Sequence, residues 1–448
     1  QNIVTTMKMF CRVKFTLFQN KHRLLFGFCC ILRGMATTLI RKSGRCIMGQ
    51  SLLFASFSCN QRPRLQKYAP PFKAQGYSAF GTWRSGRDIS SADSTDEPLS
   101  VAIVGGGFAG LGTAFHLVEL GAKVTIFDPF PVGTGGASAV SAGILHPLSP
   151  RGKLTWKGAE GFAATQTLLG HVEEALALAN LESCITCDSV FRPLFTEKEE
   201  VMFAKAAEKM PQWITEHSKD NYEKYIGAGT STGAVLIRGA MGLDSSQYLK
   251  GLWLACHQKG HANWVQEKVH SFHQLEDRNF DSVVIAAGSG IFQMEGFDHS
   301  LNLKLVRGQT LHWDNRVLGL QHSILCGDYL MPKGEVVISG ATSEYKRTDS
   351  IPDQDFAETT LRPKLERLLP RLATSDMDPI DCQAGVRVFS TRNALGKLPV
   401  VKQVTCGSKE NAGKVWLFTA LGARGLIHHA LLGKQLAQCI NTNDRKYL

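Results

Sequence analysis

Residues 99–128 read LSVAIVGGGFAGLGTAFHLVELGAKVTIFD, and this stretch decides the fold. Val101-Ala102-Ile103-Val104 is uniformly apolar, the pattern of a strand buried on both faces. Gly105, Gly107 and Gly110 then satisfy G-x-G-x-x-G where that strand turns into a helix. The three glycines serve different needs, namely a tight turn, close approach of backbone to a pyrophosphate, and close packing of helix on strand. Phe108 and Ala109 complete this loop. The helix turns Leu111, Phe115, Leu117, Val118 and Leu120 inward, Ala114 keeps its contact face small, and Gly121 suits a left-handed cap. A second strand, Lys123 to Phe127, ends in Asp128, eighteen residues after Gly110. An acid there accepts hydrogen bonds from ribose hydroxyls and repels a 2′-phosphate.

An ordinary βα turn can carry the same three glycines, but the full strand–turn–helix–strand–acid order points to a dinucleotide site. A second small-residue loop follows, GTGGASAVSAG at 133–143, with Ala137 and Ser138 at its centre. Such a loop can lie along the pyrophosphate and ribityl chain of an extended cofactor, whereas a nicotinamide dinucleotide has no need of it. The cofactor predicted is FAD, held non-covalently.

The charge is uneven along the 448 residues. The first 87 hold fifteen of the fifty Lys/Arg and no acid, which leaves 35 basic against 39 acidic residues for the rest. Nucleic-acid affinity rests largely on Lys/Arg facing phosphates, so a body at −4 argues against unaided nucleic-acid binding. Residues 1–95 read as a targeting leader and linker. The leader is acid-free and rich in Arg and Ser, as in an organellar transit peptide, chloroplast ahead of mitochondrion. The alternative is a mis-assigned upstream exon on a cytoplasmic protein. The apolar run Leu24–Leu32 is about half a bilayer span. Cys184-x-x-Cys187 has no second pair for zinc, so it reads as two half-buried strand cysteines rather than a metal or redox pair.

Further along, a helix is expected over Gly161–Leu181, then a strand at 189–195 and a charged helix from Glu197 to Met210. A helix from Ser245 to Gly260 precedes the apolar strand 281–288, which ends at Gly288. Alternating strands cover 304–313, 329–332 and 335–339. Asp355–Leu369 is helical. Val415–Ala420 breaks at Gly422-Ala423-Arg424-Gly425 into a final helix from Leu426 to Ile440. Uniformly apolar strands lie at both ends and near 285, and alternating ones between. The fold class is therefore α/β: a Rossmann-like lobe from separated segments (99–183, 240–302, 383–448), plus a mostly antiparallel α+β lobe (184–239, 303–382).

Together the motifs resemble the D-amino-acid oxidase/glycine oxidase family of FAD-dependent oxidoreductases. The resemblance is carried by VVIAAG at 283–288, VRGQT at 306–310, YLMPKGEVVISGAT at 329–342 and AGVRV at 384–388. GASAVSAGILHPLSP at 136–150 and GARGLIHHAL at 422–431 look most like the FAD domain of the bifunctional tRNA 5-methylaminomethyl-2-thiouridine enzymes. The resemblance implies a glycine oxidase-like fold, with Gly105, Gly107, Phe108, Ala109, Gly110, Asp128, Ala137, Ser138, Gly288, Gly422, Ala423, Arg424, Gly425 and Leu426 around the cofactor. Arg387 matches the arginine that grips a substrate carboxylate, and Tyr329 the tyrosine that lines the pocket. The implied activity is oxidation of a small carboxylate-bearing amine (glycine, an N-substituted glycine or a D-amino acid) by hydride transfer to the flavin. Dioxygen or another acceptor then takes the electrons. The alternatives are a wobble-uridine carboxymethylaminomethyl oxidase acting on tRNA, and a non-catalytic flavin-bearing assembly factor.

Two features depart from the family pattern: His428-His429 in the last helix, and Thr391–Pro399 after the arginine. Taken alone, Arg387 could be a surface strand residue and Tyr329 a core aromatic. His428 and His429 suit packing or capping more than catalysis. Cys382 reads as a buried thiol rather than a flavin attachment point.

Overall fold

The structure, a computed structural model, describes residues 97–448 apart from 227–230, 277, 298–299, 375–376 and 405–413. The expected transit peptide and almost all of the linker lie outside the described residues. The chain enters on β1 (Ser100–Val104), turns into α1 (Phe108–Glu119) and returns on β2 (Lys123–Asp128). One helical turn, α2 (Gly136–Ala139), and β3 (Ile144–Leu145) lead to α3 (Gly158–Leu178). A first excursion comprises β4 (Ile185–Cys187), β5 (Val190–Leu194), α4 (Glu197–Lys209), β6 (Ile214–Ser218) and β7 (Gly233–Ile237). The chain returns through β8 (Met241–Leu243), α5 (Ser245–His257), β9 (Ala262–Gln266) and β10 (Ser282–Ile285). A second excursion holds β11 (Leu303–Asp314), β12 (Ser323–Cys326), β13 (Asp328–Lys333), β14 (Val336–Gly340), α6 (Gln354–Leu368) and β15 (Asp381–Ser390). It ends on β16 (Val400–Val404), β17 (Val415–Thr419) and α7 (Gly425–Thr442).

Two large sheets result. The first runs β16-β17-β10-β1-β2-β9, parallel except for its edge strand β16. Its central strands are buried on both faces, which is why they read as unbroken apolar runs. The second runs β15-β11-β14-β13-β12-β5-β7-β6 and is antiparallel except where β12 meets β5. The boundary expected at 383 is corrected by this pairing: β11 and β15 stay in register from Leu303↔Ser390 to His312↔Asp381, so 381–390 belongs to the second sheet.

Helices α1, α3, α5 and α7 cover one face of the parallel sheet, and two glycines set their closeness. A Cβ on Gly433 of α7 would lie 2.8 Å from the backbone of Gly112 in α1, and one on Gly112 would lie 2.9 Å from the His429 carbonyl oxygen. Backbone therefore meets backbone where these helices cross. Three local expectations are corrected. Leu120 is 43% exposed, because α1 ends at Glu119 and Gly121, at φ +87, turns the chain away. The helix expected to reach Leu181 ends at Leu178, since Asn180 adopts a left-handed φ of +55. Cys184 and Cys187 are both buried rather than half-buried, and Cys184 precedes β4, its Sγ 3.0 Å from the Glu173 carboxylate.

Candidate functional site

The glycine-rich turn is built as its sequence demands. Gly105 has φ +105, and a Cβ there would sit 2.4 Å from the Ala286 carbonyl oxygen of the neighbouring strand. A Cβ on Gly110 would meet the Gly105 carbonyl at 1.8 Å. Gly107 caps α1 without a side chain, and Ser138 Oγ, from α2, accepts the Phe108 N–H at 3.2 Å. Helix N-terminal amides with a positive dipole end form a ready anion cradle. Asp128 closes the far side: its Oδ2 accepts the Gly106 N–H at 2.8 Å and its Oδ1 the Phe130 N–H at 2.9 Å. Each oxygen keeps a further lone pair for a ribose hydroxyl. Burial raises the Asp128 pKa, against the lowering effect of those two bonds.

Sequence reasoning missed β9. Its Trp264 slides under the turn so closely that a Cβ on Gly106 would meet the indole at 2.1 Å. The middle glycine of the GGG run is thus required too, by a side chain more than 150 residues away. The segment ANWVQ is neither continuously apolar nor alternating, so only its neighbour β2 reveals it as a strand.

At the carboxyl ends of the parallel strands the remaining cofactor candidates assemble. Gly288 follows β10 at φ +55 and is exposed. Gly422, at φ +56, lies against the Phe389 ring; Ala423 is exposed; Arg424 is the residue before α7. Gly425 meets Phe108, so the N-termini of α1 and α7 converge, and Leu426 is buried beside them. Burial lowers the Arg424 pKa, and among the described residues no carboxylate pairs with it. Its charge reaches His146 and His428, both pushed down to about 4, first by burial and then by Arg424. Nδ1 of each imidazole is buried without a partner.

The second sheet turns one face toward this assembly. Gly385, Arg387 and Phe389 alternate onto that face of β15. Gly385 packs on Ala137 and Val140, at and just after α2, and Phe389 packs on Gly422. Arg387 therefore stands between the two points where the sheet touches the lobe of the parallel sheet. Its guanidinium leans over Gly308, where a Cβ would lie 2.7 Å from Nη2. Tyr329 leans the opposite way over Gly340, where a Cβ would lie 2.9 Å from Oη. The two side chains converge over a floor of two glycines. Arg387 Nη2 donates to the Thr342 carbonyl at 3.1 Å, while Nε is buried without a partner. Burial lowers the Arg387 pKa and raises that of Tyr329, with each charge opposing the shift of the other.

His429 is a packing residue: its Nδ1 faces the Gly425 carbonyl at 3.0 Å and its ring lies 5.4 Å from Phe108. Cys382 is buried on the opposite face of β15, beside Gln309. A cavity of about 330 Å³ between Phe272, Ile285, Met294 and Leu417 lies on the far side of the parallel sheet from α1 and α7. It shares no residue with the site described here.

The fold is a mixed α/β architecture in which a parallel sheet carries the glycine-rich turn and a mostly antiparallel sheet presents Arg387 and Tyr329 opposite it. Residues 100–439 match the model of the DAO family, described as FAD dependent oxidoreductase, and the chain belongs to that family. It is similar to the glycine oxidase from Bacillus cereus ATCC 14579 (TM-score 0.64, 19% identity, 77% of this chain and 96% of that one). The iminodiacetate oxidase of Chelativorans sp. BNC1 matches at TM-score 0.60 and 18% identity, over 77% of this chain and 95% of that one. The tRNA 5-methylaminomethyl-2-thiouridine biosynthesis bifunctional protein MnmC of Aeromonas hydrophila is 27% identical over 75% of this chain. The chain spans 55% of the length of that relative. The protein is an FAD-dependent oxidoreductase, and the residues present fit that cofactor: a helix N-terminus whose own N-cap, Gly107, has no side chain, an acid with spare lone pairs, and glycines no Cβ could replace.

Proposed function

We propose that this protein oxidises a small amine bearing a carboxylate: glycine, an N-substituted glycine or a D-amino acid. One observation carries the reading. Arg387 is a half-buried guanidinium that no carboxylate among the described residues neutralises, on the face between the two lobes. A bidentate guanidinium–carboxylate pair would fix the orientation of the substrate as well as its charge. Tyr329, held neutral by burial, can donate its phenolic hydrogen to the same carboxylate. Bound FAD supplies the two-electron acceptor for the substrate α C–H. Gly107, Ser138 and the α1 N-terminus would hold its pyrophosphate, and Asp128 its ribose. Arg424 and the positive end of α7 add a field that favours negative charge nearby. The protein then needs no strong side-chain base, because positioning carries the step. Dioxygen or another acceptor completes the cycle.

The deciding experiment is anaerobic bleaching of the purified yellow protein by a panel of amino acids and N-alkyl glycines. Arg387→Ala should keep FAD and lose the response. An unchanged phenotype of cells carrying that variant would leave the non-catalytic assembly-factor reading standing. A second reading, oxidation of a carboxymethylaminomethyl group on tRNA, is supported by the likeness to MnmC and opposed by the acidic balance of the body. Nucleosides from tRNA digests of a knockout decide it: an unaltered wobble uridine removes that reading.

A further inference from the structure

We propose that Thr342, locked by Glu344, is the positioning residue that aims Arg387, an inference that rests on reading Arg387 as the carboxylate-binding group. The β11–β14 ladder is irregular at its end beside the site. Gly340 pairs with Thr310, and beyond it Arg307 and Glu344 exchange both backbone hydrogen bonds at 2.9 Å. Three steps along β11 are thus matched by four along the other strand. One residue is extra, and the ladder is bulged next to the site.

At the bulge the Thr342 side chain stands in for its own backbone. The Gln309 N–H donates to Thr342 Oγ1 at 2.9 Å, rather than to a strand carbonyl. The Thr342 carbonyl is released from the ladder and accepts Arg387 Nη2–H at 3.1 Å. The hydroxyl is fixed from its other side, because it donates to Glu344 Oε1 at 2.7 Å. Glu344 is itself held: it is 10% exposed, pairs with the fully buried Arg307, and accepts Gln309 Nε2–H at 3.0 Å.

An unbroken run of hydrogen bonds therefore joins Arg307, Glu344, Thr342 and Arg387. The anchoring end lies on the face packed against α6, and the far end faces the cofactor lobe. A carbonyl on Nη2 fixes the guanidinium plane. Nε is left without a protein partner among the described residues. Removing the hydroxyl would strand the Gln309 N–H, and the least costly repair is for the Thr342 carbonyl to swing back into the ladder. That repair takes it away from Arg387.

The same bonds could serve only to fasten residues 342–353 onto the sheet, since Gln309 Oε1 also accepts the Asp353 N–H at 2.6 Å. A titration separates the two roles. FAD-loaded full-length protein is titrated with methoxyacetate, a carboxylate with no oxidisable amine, and followed by the flavin difference spectrum. Thr342→Val should weaken methoxyacetate about tenfold or more, the scale of one charge-assisted hydrogen bond, with FAD content unchanged. Thr342→Ser, which keeps the hydroxyl, should restore near-native affinity. Should Thr342→Val not fold, Glu344→Gln carries the test, with the same direction and a smaller loss. Affinity lost in Arg387→Ala but kept in Thr342→Val and Glu344→Gln overturns the positioning role alone. Methoxyacetate bound equally well by Arg387→Ala overturns the carboxylate reading and this inference with it.

Discussion

Tyr248 Oη lies 2.8 Å from His429 Nε2, and both groups are completely buried. His429 Nδ1 faces the Gly425 carbonyl, which can only accept, so Nδ1 carries the hydrogen and Tyr248 donates to Nε2. The bond ties α5 to α7 behind Phe108 and the phosphate loop. Tyr248→Phe leaves a buried acceptor unpaired and should cost about 1–3 kcal/mol. Urea denaturation of the two proteins measures it. An unchanged midpoint would sink the assignment.

Acid should destabilise the fold through its histidines. His428 and His429 are held at about 4, in each case first by burial. For His428 the Arg424 and Lys157 charges act in the same direction; for His429 the Gly425 bond opposes. The unfolded chain titrates near 6.5, so between about 6.5 and 4 it binds protons that the folded protein refuses. Stability is therefore lost as pH falls through that window, by about 1.4 kcal/mol per pH unit for each fully buried imidazole. Denaturation midpoints from about pH 7 down to about pH 5 test this. His428→Gln should shallow the slope, and a slope indifferent to that change counts against it.

Gly308→Ala tests the glycine floor without replacing a charged residue, since its methyl would lie 2.7 Å from Arg387 Nη2. The added methyl meets the end of a flexible side chain, so the protein should fold at near-native stability while Arg387 is displaced. KM for a carboxylate substrate should rise about tenfold, with a smaller change in kcat. A native KM would mean that Arg387 does not work from the position described.

Gly433→Ala tests the helix crossing. Its methyl would press on Gly112 backbone, which cannot rotate away, and overpacking of this kind costs about 1–3 kcal/mol. The prediction is a lower melting temperature together with weaker FAD retention, because the α1 and α7 N-termini would be pushed apart. A variant as stable as the parent contradicts the backbone-on-backbone contact.

What could be read from the sequence, and what could not, follows from how far each feature depends on distant partners. The geometry of the glycine-rich turn was legible because Gly105 and Gly110 answer to strand and turn geometry that any βα unit of this type imposes. The place of Asp128 at the end of β2 followed from chain spacing alone. The need for glycine at 106 was hidden, since it comes from Trp264 on a strand with no periodic signature. His428 and His429 looked like one feature. Adjacent residues on a helix point about 100° apart, so one faces Trp156 and the other Tyr248. The convergence of Arg387 and Tyr329 depends on the register of four strands, and the released Thr342 carbonyl on one extra residue between two of them. Neither leaves a mark in local composition.

The strand order carries a consequence for biosynthesis. β17 lies between β10 and β16, and α7, the helix that meets the Gly-rich turn, is made only after every strand of both sheets has been translated. A truncated chain ending at Ala420 would have the strands of both sheets and no wall beside Phe108. Such a chain should stay colourless in the presence of FAD, which makes pigment uptake an event that waits for α7.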